Sequence, residues 1–375
     1  MATIVNRPIS DNAGNSRALT LSPVTLWASI GTVLLGINAY AMLRWITGPN
    51  FKPAPLGDAV IPAGELTALY VFQGLSIIAA LLFFWFSLIK PWRRNGSVSW
   101  DGLMVIAFFT MWVWDPLTNA INHTWWYNGY LFNMSSWANF LPGWSSPNGG
   151  NFVEPIFLMG PCYIWFFLGP TIFGCFILRR LRNKYPDMGT AKCFAILFAG
   201  MAIFDAVVEI YFCQTGAGAY PGVVQSLSLW PATPKQWPLY EGAIMGMTLS
   251  ALVGLRYFRD DKGHSFCERG VDKLAISSRA KTFVRFLALV GASHSIYLIV
   301  YFLPWNLFAM KIDTHTPMPS YMRHEVCGKG TAYACPSEYV PMQTRTSIPI
   351  GPDDPRLPEI VRNSQDGPPY SMFAH

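Results

Sequence analysis

Charge is scarce in this sequence. Asp, Glu, Lys and Arg make up 13% of the 375 residues while 52% are apolar, where soluble domains carry about 25% charged residues. With a mean hydropathy of +0.28, that balance excludes an ordinary soluble domain and fits an integral membrane protein. Histidine is also sparse: the six in the chain cannot supply the clustered ligands of a di-iron membrane desaturase or hydroxylase. The last apolar stretch has no mid-depth lysine, only Lys281 and Arg285 near one edge, which excludes a retinal Schiff base. GxSxG, Walker and GxGxxG elements are missing from any suitable context. No residue set offers a metal cage by its spacing, so neither a metal nor another cofactor is expected.

What is present is a series of apolar runs long enough to cross a bilayer, which needs about 20 helical residues. They fall near 24–46, 64–89, 101–122, 154–178, 193–214, 239–257 and 283–304. The fold class expected is therefore all-α, a polytopic bundle of seven transmembrane helices. Basic residues concentrate on the cytoplasmic side of such bundles. Loops 90–99, 179–192 and 256–282 hold fifteen Lys and Arg, whereas the alternate loops 47–63, 119–152 and 215–237 hold only Lys52 and Lys235. The N-terminal segment 1–22 is thus placed in the cytoplasm and the tail 311–375 outside, with the membrane domain at 23–310. The net charge of +6 follows from this topology, and no nucleic-acid partner is implied. The first run lacks a small-residue cleavage pattern, so no removable signal peptide is expected. The host is the plasma (inner) membrane in a bacterium or the endoplasmic reticulum in a eukaryote. The oligomeric state stays open.

Five cysteines read as packing residues, but Cys327 and Cys335 lie in the outer tail, where a disulfide would persist. The tail holds ten prolines and is expected to be extended or partly disordered. Outer loop 123–153 is too long for a bare connector and reads as a lid.

Orientation gives each polar residue a depth. Trp112, Asp115, Asn119 and Asn122 share one helical face near the outer end of the third run, and Asp205 and Glu209 share a face in the fifth. His294, Tyr297 and Tyr301 do so in the seventh, and Glu65, Glu154 and Glu241 stand at the outer ends of the second, fourth and sixth. An ionisable residue inside a span costs several kcal/mol unless paired or hydrated, so the convergence points to a pocket in the outer third of the bundle. Plainer readings stand beside this. The three glutamates could cap helices or meet headgroups, Trp125, Trp126, Trp137 and Trp144 could form an interfacial belt, and His294 could be a packing residue. Asp205 and Glu209 resist such readings, because adjacent like charges repel unless one is protonated or a cation lies between them. Pro116 is expected to free the carbonyl of Trp112 and bend the third span at Asp115.

Carboxylates, phenols and aromatic faces without a redox centre suit acid-initiated cyclisation or dehydration through an oxocarbenium ion or carbocation. They suit a proton-coupled carrier as well. The segments WDPLTNAIN (114–122), WWYNGYLFN (125–133), SWANFLPGWSSPNGG (136–150) with Glu154-Pro155, and PSYMRHEVCGKGTAYACP (319–336) resemble the AveC-type spirocyclase family over about residues 23–340. The resemblance implies a membrane cyclase that closes a dihydroxyketone into a spiroketal. It carries over no residue roles, so the candidates rest on position. They are Asp115, Glu154, Asp205 and Glu209 as acid and base, and His294 and Tyr297 as proton relays. Trp112, Trp114, Asn119, Tyr127, Tyr211, Glu241 and Tyr301 are the candidate contacts to a hydrophobic small-molecule substrate. A terpenoid or polyene cyclase, and a non-enzymatic transporter or lipid-binding protein, remain the alternatives.

Overall fold

The computed structural model describes residues 22–369; the expected N-terminal segment, Ser22 apart, and the last six residues lie outside that range. Seven principal helices follow in order: α1 (Pro23–Ile46), α2 (Ala63–Asn95), α3 (Trp100–Met111), α4 (Ile156–Lys184), α5 (Thr190–Gln214), α6 (Leu239–Tyr257) and α7 (Ser278–Ala309). Ser22 caps α1 by accepting from the Thr25 amide, with Pro23 at the first helical position, where its missing N–H costs nothing. Ser99 starts α3 the same way through the Gly102 amide.

Five of these helices, α1, α2, α4, α5 and α7, are long and apolar enough to cross a membrane. The most apolar windows of α1, α2 and α5 are only 22% buried within the protein, leaving Leu43, Leu81 and Ile203 on the outer surface. The other two occupy their expected places but miss that standard for reasons the fold explains. Helix α3 runs twelve residues before the chain tightens, and α6 carries Glu241 near one end and Arg256 near the other. Both are largely enclosed by neighbours, so most of their side chains face protein, with Phe109 and Met247 among the few that remain exposed.

The loops after α1, α3, α5 and α7 meet at one end of the bundle. Asn133 Oδ1 there accepts from the Ala54 amide at 3.0 Å, Asn128 Nδ2 donates to the Gly216 carbonyl at 2.9 Å, and the Gly129 amide donates to Tyr321 O at 2.8 Å. At the other end Arg256 grips Asp101 through two bonds of 2.8 and 2.7 Å, and Arg285 Nε lies 2.8 Å from Glu268. Helix α1 crosses α7 with backbones in contact. A Cβ at Gly31 would fall 1.9 Å from Leu287 O and one at Gly291 would fall 2.1 Å from Trp27 O, so glycine is required on both sides of the crossing.

The tail differs from the extended segment expected. Its described part packs over these loops, with short helices α8 (Ser320–Arg323) and α9 (Glu359–Ser364) and a small core of Ala334, Val340, Leu357 and Val361. Cys327 and Cys335 are joined by a disulfide, Cα–Cα 4.8 Å. Proline supplies rigid turns here rather than disorder, and buried aliphatics hold them down.

Candidate active site

Past Met111 the third helix continues as a 3-10 helix over Trp112–Asn119, and this change of winding places the site. In that geometry each N–H reaches three residues back, so Pro116, lacking one, frees the carbonyl of Val113. Trp137 Nε1 donates to that carbonyl at 2.7 Å. This corrects the sequence expectation, which assumed α-helical winding and left Trp112 with the free carbonyl. The tightened turn carries Asp115, 5% exposed, into the bundle interior.

Three groups converge on Asp115. The Tyr163 hydroxyl donates to Oδ1 at 2.6 Å and that of Tyr127 to Oδ2 at 2.8 Å. The Glu154 carboxyl, itself buried, neighbours it. The chain continues from Tyr163 to Tyr297, whose hydroxyls are 2.7 Å apart. Tyr297 is presented by a π-helical stretch of α7, Tyr297–Phe302, whose wider turn lets Tyr297 and Tyr301 stack at 5.1 Å. Tyr127 lies beyond the helix, on a two-residue strand paired with Gly218–Ala219. A Cβ at Gly218 would lie 2.2 Å from the Trp125 ring, so the pairing requires glycine there. Burial, then the neighbouring Asp115 and Glu154 carboxyls, push the Tyr127 phenol well above its usual range, which keeps it a donor.

Asp115, Tyr127, Tyr163 and Tyr297 face a cavity of about 50 Å³. Glu209 faces the same cavity. It belongs to a second acidic group with Asp205 and Glu241, whose ligand-capable oxygens lie within 4.8 Å of one another. Glu209 Oε2 accepts from the Tyr220 hydroxyl and from Trp237 Nε1 at 3.3 Å; Glu241 Oε1 accepts from the Tyr301 hydroxyl at 3.0 Å. The cavity thus lies between two carboxyl groupings, with stacked tyrosines running from one toward the other. Sequence spacing offered no metal cage, whereas this second grouping has the geometry to hold an ion.

The profile of AveC-like spirocyclases matches residues 92–325, more than half of the chain. This protein belongs to that family. The match begins near the end of α2 and runs through every residue described above as touching the cavity, ending just past α8. No curated protein and no solved structure matches the chain.

Within this family member, the sequence candidates separate into two sets. Asp115, Glu154, Asp205, Glu209, Tyr127, Tyr297, Glu241 and Tyr301 are brought to the cavity or to its two carboxyl groupings. The others are placed elsewhere. His294 has both ring nitrogens engaged, Nδ1 by the Trp114 indole at 3.0 Å and Nε2 by the Ala107 carbonyl at 3.0 Å, so it pins α3 to α7. Trp114 is thereby a clamp rather than a cavity wall, and Trp112 packs on Trp137 with centroids 4.8 Å apart. Asn119 orders the loop, accepting from the Thr124 and Trp125 amides at 2.9 and 3.0 Å. Tyr211 is 49% exposed and meets Phe72 edge-on, because it lies on the outward face of α5.

The interfacial belt also fails. Trp125, Trp126, Trp137 and Trp144 are all buried, because the tail and loops cover them. Sequence reasoning passed over Tyr163, Tyr220 and Trp305, which line the cavity, and gave Trp125, which lines it too, to the belt. Tyr163 had a usable signal: a phenol within an apolar run also needs a partner for its hydroxyl, yet in the fourth run only Glu154 had been assigned a depth.

Proposed function

We propose that this protein is a membrane-embedded cyclase that closes a hydrophobic, polyketide-like hydroxyketone into a spiroketal, or carries out a related dehydration, by acid and base catalysis. Family membership supports a cyclase. The excess of Lys and Arg in alternate loops supports seven spans, with the cavity in the outer half of the bundle and the tail outside.

The observation that carries the chemistry is Asp115, held by two phenols and beside a second carboxyl on a cavity wall. Two adjacent buried carboxylates repel, so the pair holds a proton between them. That proton goes to the hydroxyl of the hemiketal formed when the first substrate hydroxyl adds to the ketone. Water leaves and an oxocarbenium ion remains, facing the Tyr and Trp rings around the cavity, whose faces favour a passing cation. The second hydroxyl closes the other ring and gives up its proton to the carboxylate left behind, restoring the pair. One water is released per spiroketal and no electrons are transferred. Tyr163 and Tyr297 offer a hydroxyl path for redistributing the proton.

Purified protein supplied with a linear dihydroxyketone should yield spiroketal plus water. Asp115→Asn should lower turnover about 100-fold or more, the usual contribution of a general acid. A folded wild-type protein that turns over neither hydroxyketones nor polyenes would overturn the proposal in favour of a carrier or lipid-binding role.

A further inference from the structure

We propose that Asp205, Glu209 and Glu241 form a binding site for a hard divalent cation at the edge of the cavity. They come from two helices, α5 and α6, and one oxygen of each lies within 4.8 Å of the other two. Oxygens on opposite sides of a Ca²⁺-sized ion are separated by about 4.6–5.2 Å, twice the usual metal–oxygen distance. All-carboxylate donors select Mg²⁺, Ca²⁺ or Mn²⁺ over softer metals.

A second observation goes beyond the clustering of acids. Asp205 is completely buried, and neither carboxylate oxygen has a hydrogen-bond partner. A buried carboxylate with both oxygens unsatisfied is costly. Glu241 shows a divided pattern: Oε1 accepts from Tyr301, while Oε2, equally buried, has no partner. On Glu209 the Tyr220 hydroxyl and the Trp237 indole both go to Oε2. In each glutamate the protein donors occupy one oxygen and orient the carboxyl, and such outer donors are how metal ligands are commonly held. The arginine pairs Arg256–Asp101 and Arg285–Glu268 lie at the other end of the bundle. A divalent ion would offset most of the negative charge of three carboxylates. Glu209 also borders the cavity, so a substrate oxygen could complete the ion's coordination there.

Binding of the ion stands independently of the cyclase proposal, and the experiment keeps the two apart. Full-length protein in detergent, stripped with chelator, is titrated with Mn²⁺ by electron paramagnetic resonance and challenged with Ca²⁺ and Mg²⁺. The expected result is uptake of about one Mn²⁺ per chain, displaced by one of the other two ions. Asp205→Asn and Glu241→Gln should each weaken it at least about tenfold, and Tyr301→Phe, which removes an orienting hydroxyl, about 10–100-fold. If Asp205→Asn does not fold, Glu241→Gln and Tyr301→Phe carry the comparison. Folded wild-type protein that takes up no Mn²⁺, or variants that bind as well as wild type, would overturn the site and leave the three carboxyls to hold protons. Protein that binds Mn²⁺ but turns over no substrate would leave the site standing and fail only the cyclase reading.

Discussion

The ring of His324 lies against the strand that carries Tyr127, its Nε2 2.9 Å from the Tyr127 carbonyl. The Tyr127 hydroxyl donates to Asp115. A residue of the tail thereby bears on the orientation of the central carboxyl, through one strand and one phenol.

Burial of that ring makes this end of the bundle acid-sensitive. Burial holds the His324 imidazole down at about 4, against 6.5 for an exposed ring. Between those values the unfolded chain binds a proton that the folded chain does not, so stability is full above pH 6.5 and falls as pH drops toward 4. At about 1.36 kcal/mol per unit the loss reaches a few kcal/mol. His123 and His315, held down at about 3 and about 4 by burial, add to it with the same sign. Thermal unfolding midpoints measured from pH 7 to pH 4 should therefore decline. His324→Gln should flatten part of that decline, and a slope equal to wild type would refute the assignment.

Tyr163→Phe removes the hydroxyl shared by Asp115 and Tyr297. Hydrogen bonds to charged groups contribute about 1.5–3 kcal/mol, so turnover of a hydroxyketone should fall roughly ten- to hundredfold if the bond is made in the transition state. The loss should appear in kcat more than in KM. Pairing Tyr163→Phe with Tyr297→Phe should cost less than the two separate losses combined, because both act on one chain of hydroxyls. Strict additivity in steady-state kinetics would argue that Tyr297 does not work through Tyr163.

Trp137→Phe keeps the ring packing but deletes the donor to the Val113 carbonyl. A buried acceptor left without a partner costs about 1–3 kcal/mol. The melting midpoint should drop accordingly, and the turn that carries Asp115 should loosen, seen as faster hydrogen exchange over residues 112–119. Unchanged exchange would show that the 3-10 turn is held by other contacts.

Gly291→Val and Gly31→Val each drive a side chain into the backbone of the opposing helix. Overpacking of this kind costs about 1–3 kcal/mol or more. Each variant should melt lower, and the double variant should be far from additive because both enlarge the same crossing. Wild-type melting in either would mean that α1 is not fixed to α7 in this way.

Much of the architecture was legible in the sequence for a simple reason. Length and hydropathy of a run are local, so all seven helices could be placed from composition, five of them apolar enough to span a membrane. The alternation of basic loops is equally local. Cys327 and Cys335, separated by seven residues, could be recognised as candidates for pairing.

What only the tertiary structure decided is which polar side chains share a space. Depth along a helix was readable, which is why Asp115, Glu209 and Tyr297 were found, but rotation about its axis depends on neighbours. Tyr211 points outward and His294 is consumed by Trp114 and Ala107. The winding at Pro116 also escaped the sequence, since α and 3-10 turns differ by one residue in which carbonyl is left free, and Trp137, twenty-one residues on, decides between them. Asp205 and Glu209 share a face four residues apart, but Glu241 comes from another helix with no spacing to announce it, and its meeting them is a consequence of packing. The sequence by itself determined that this protein is helical and apolar, with few acids among its apolar runs; the packing of its helices decided which of those acids meet.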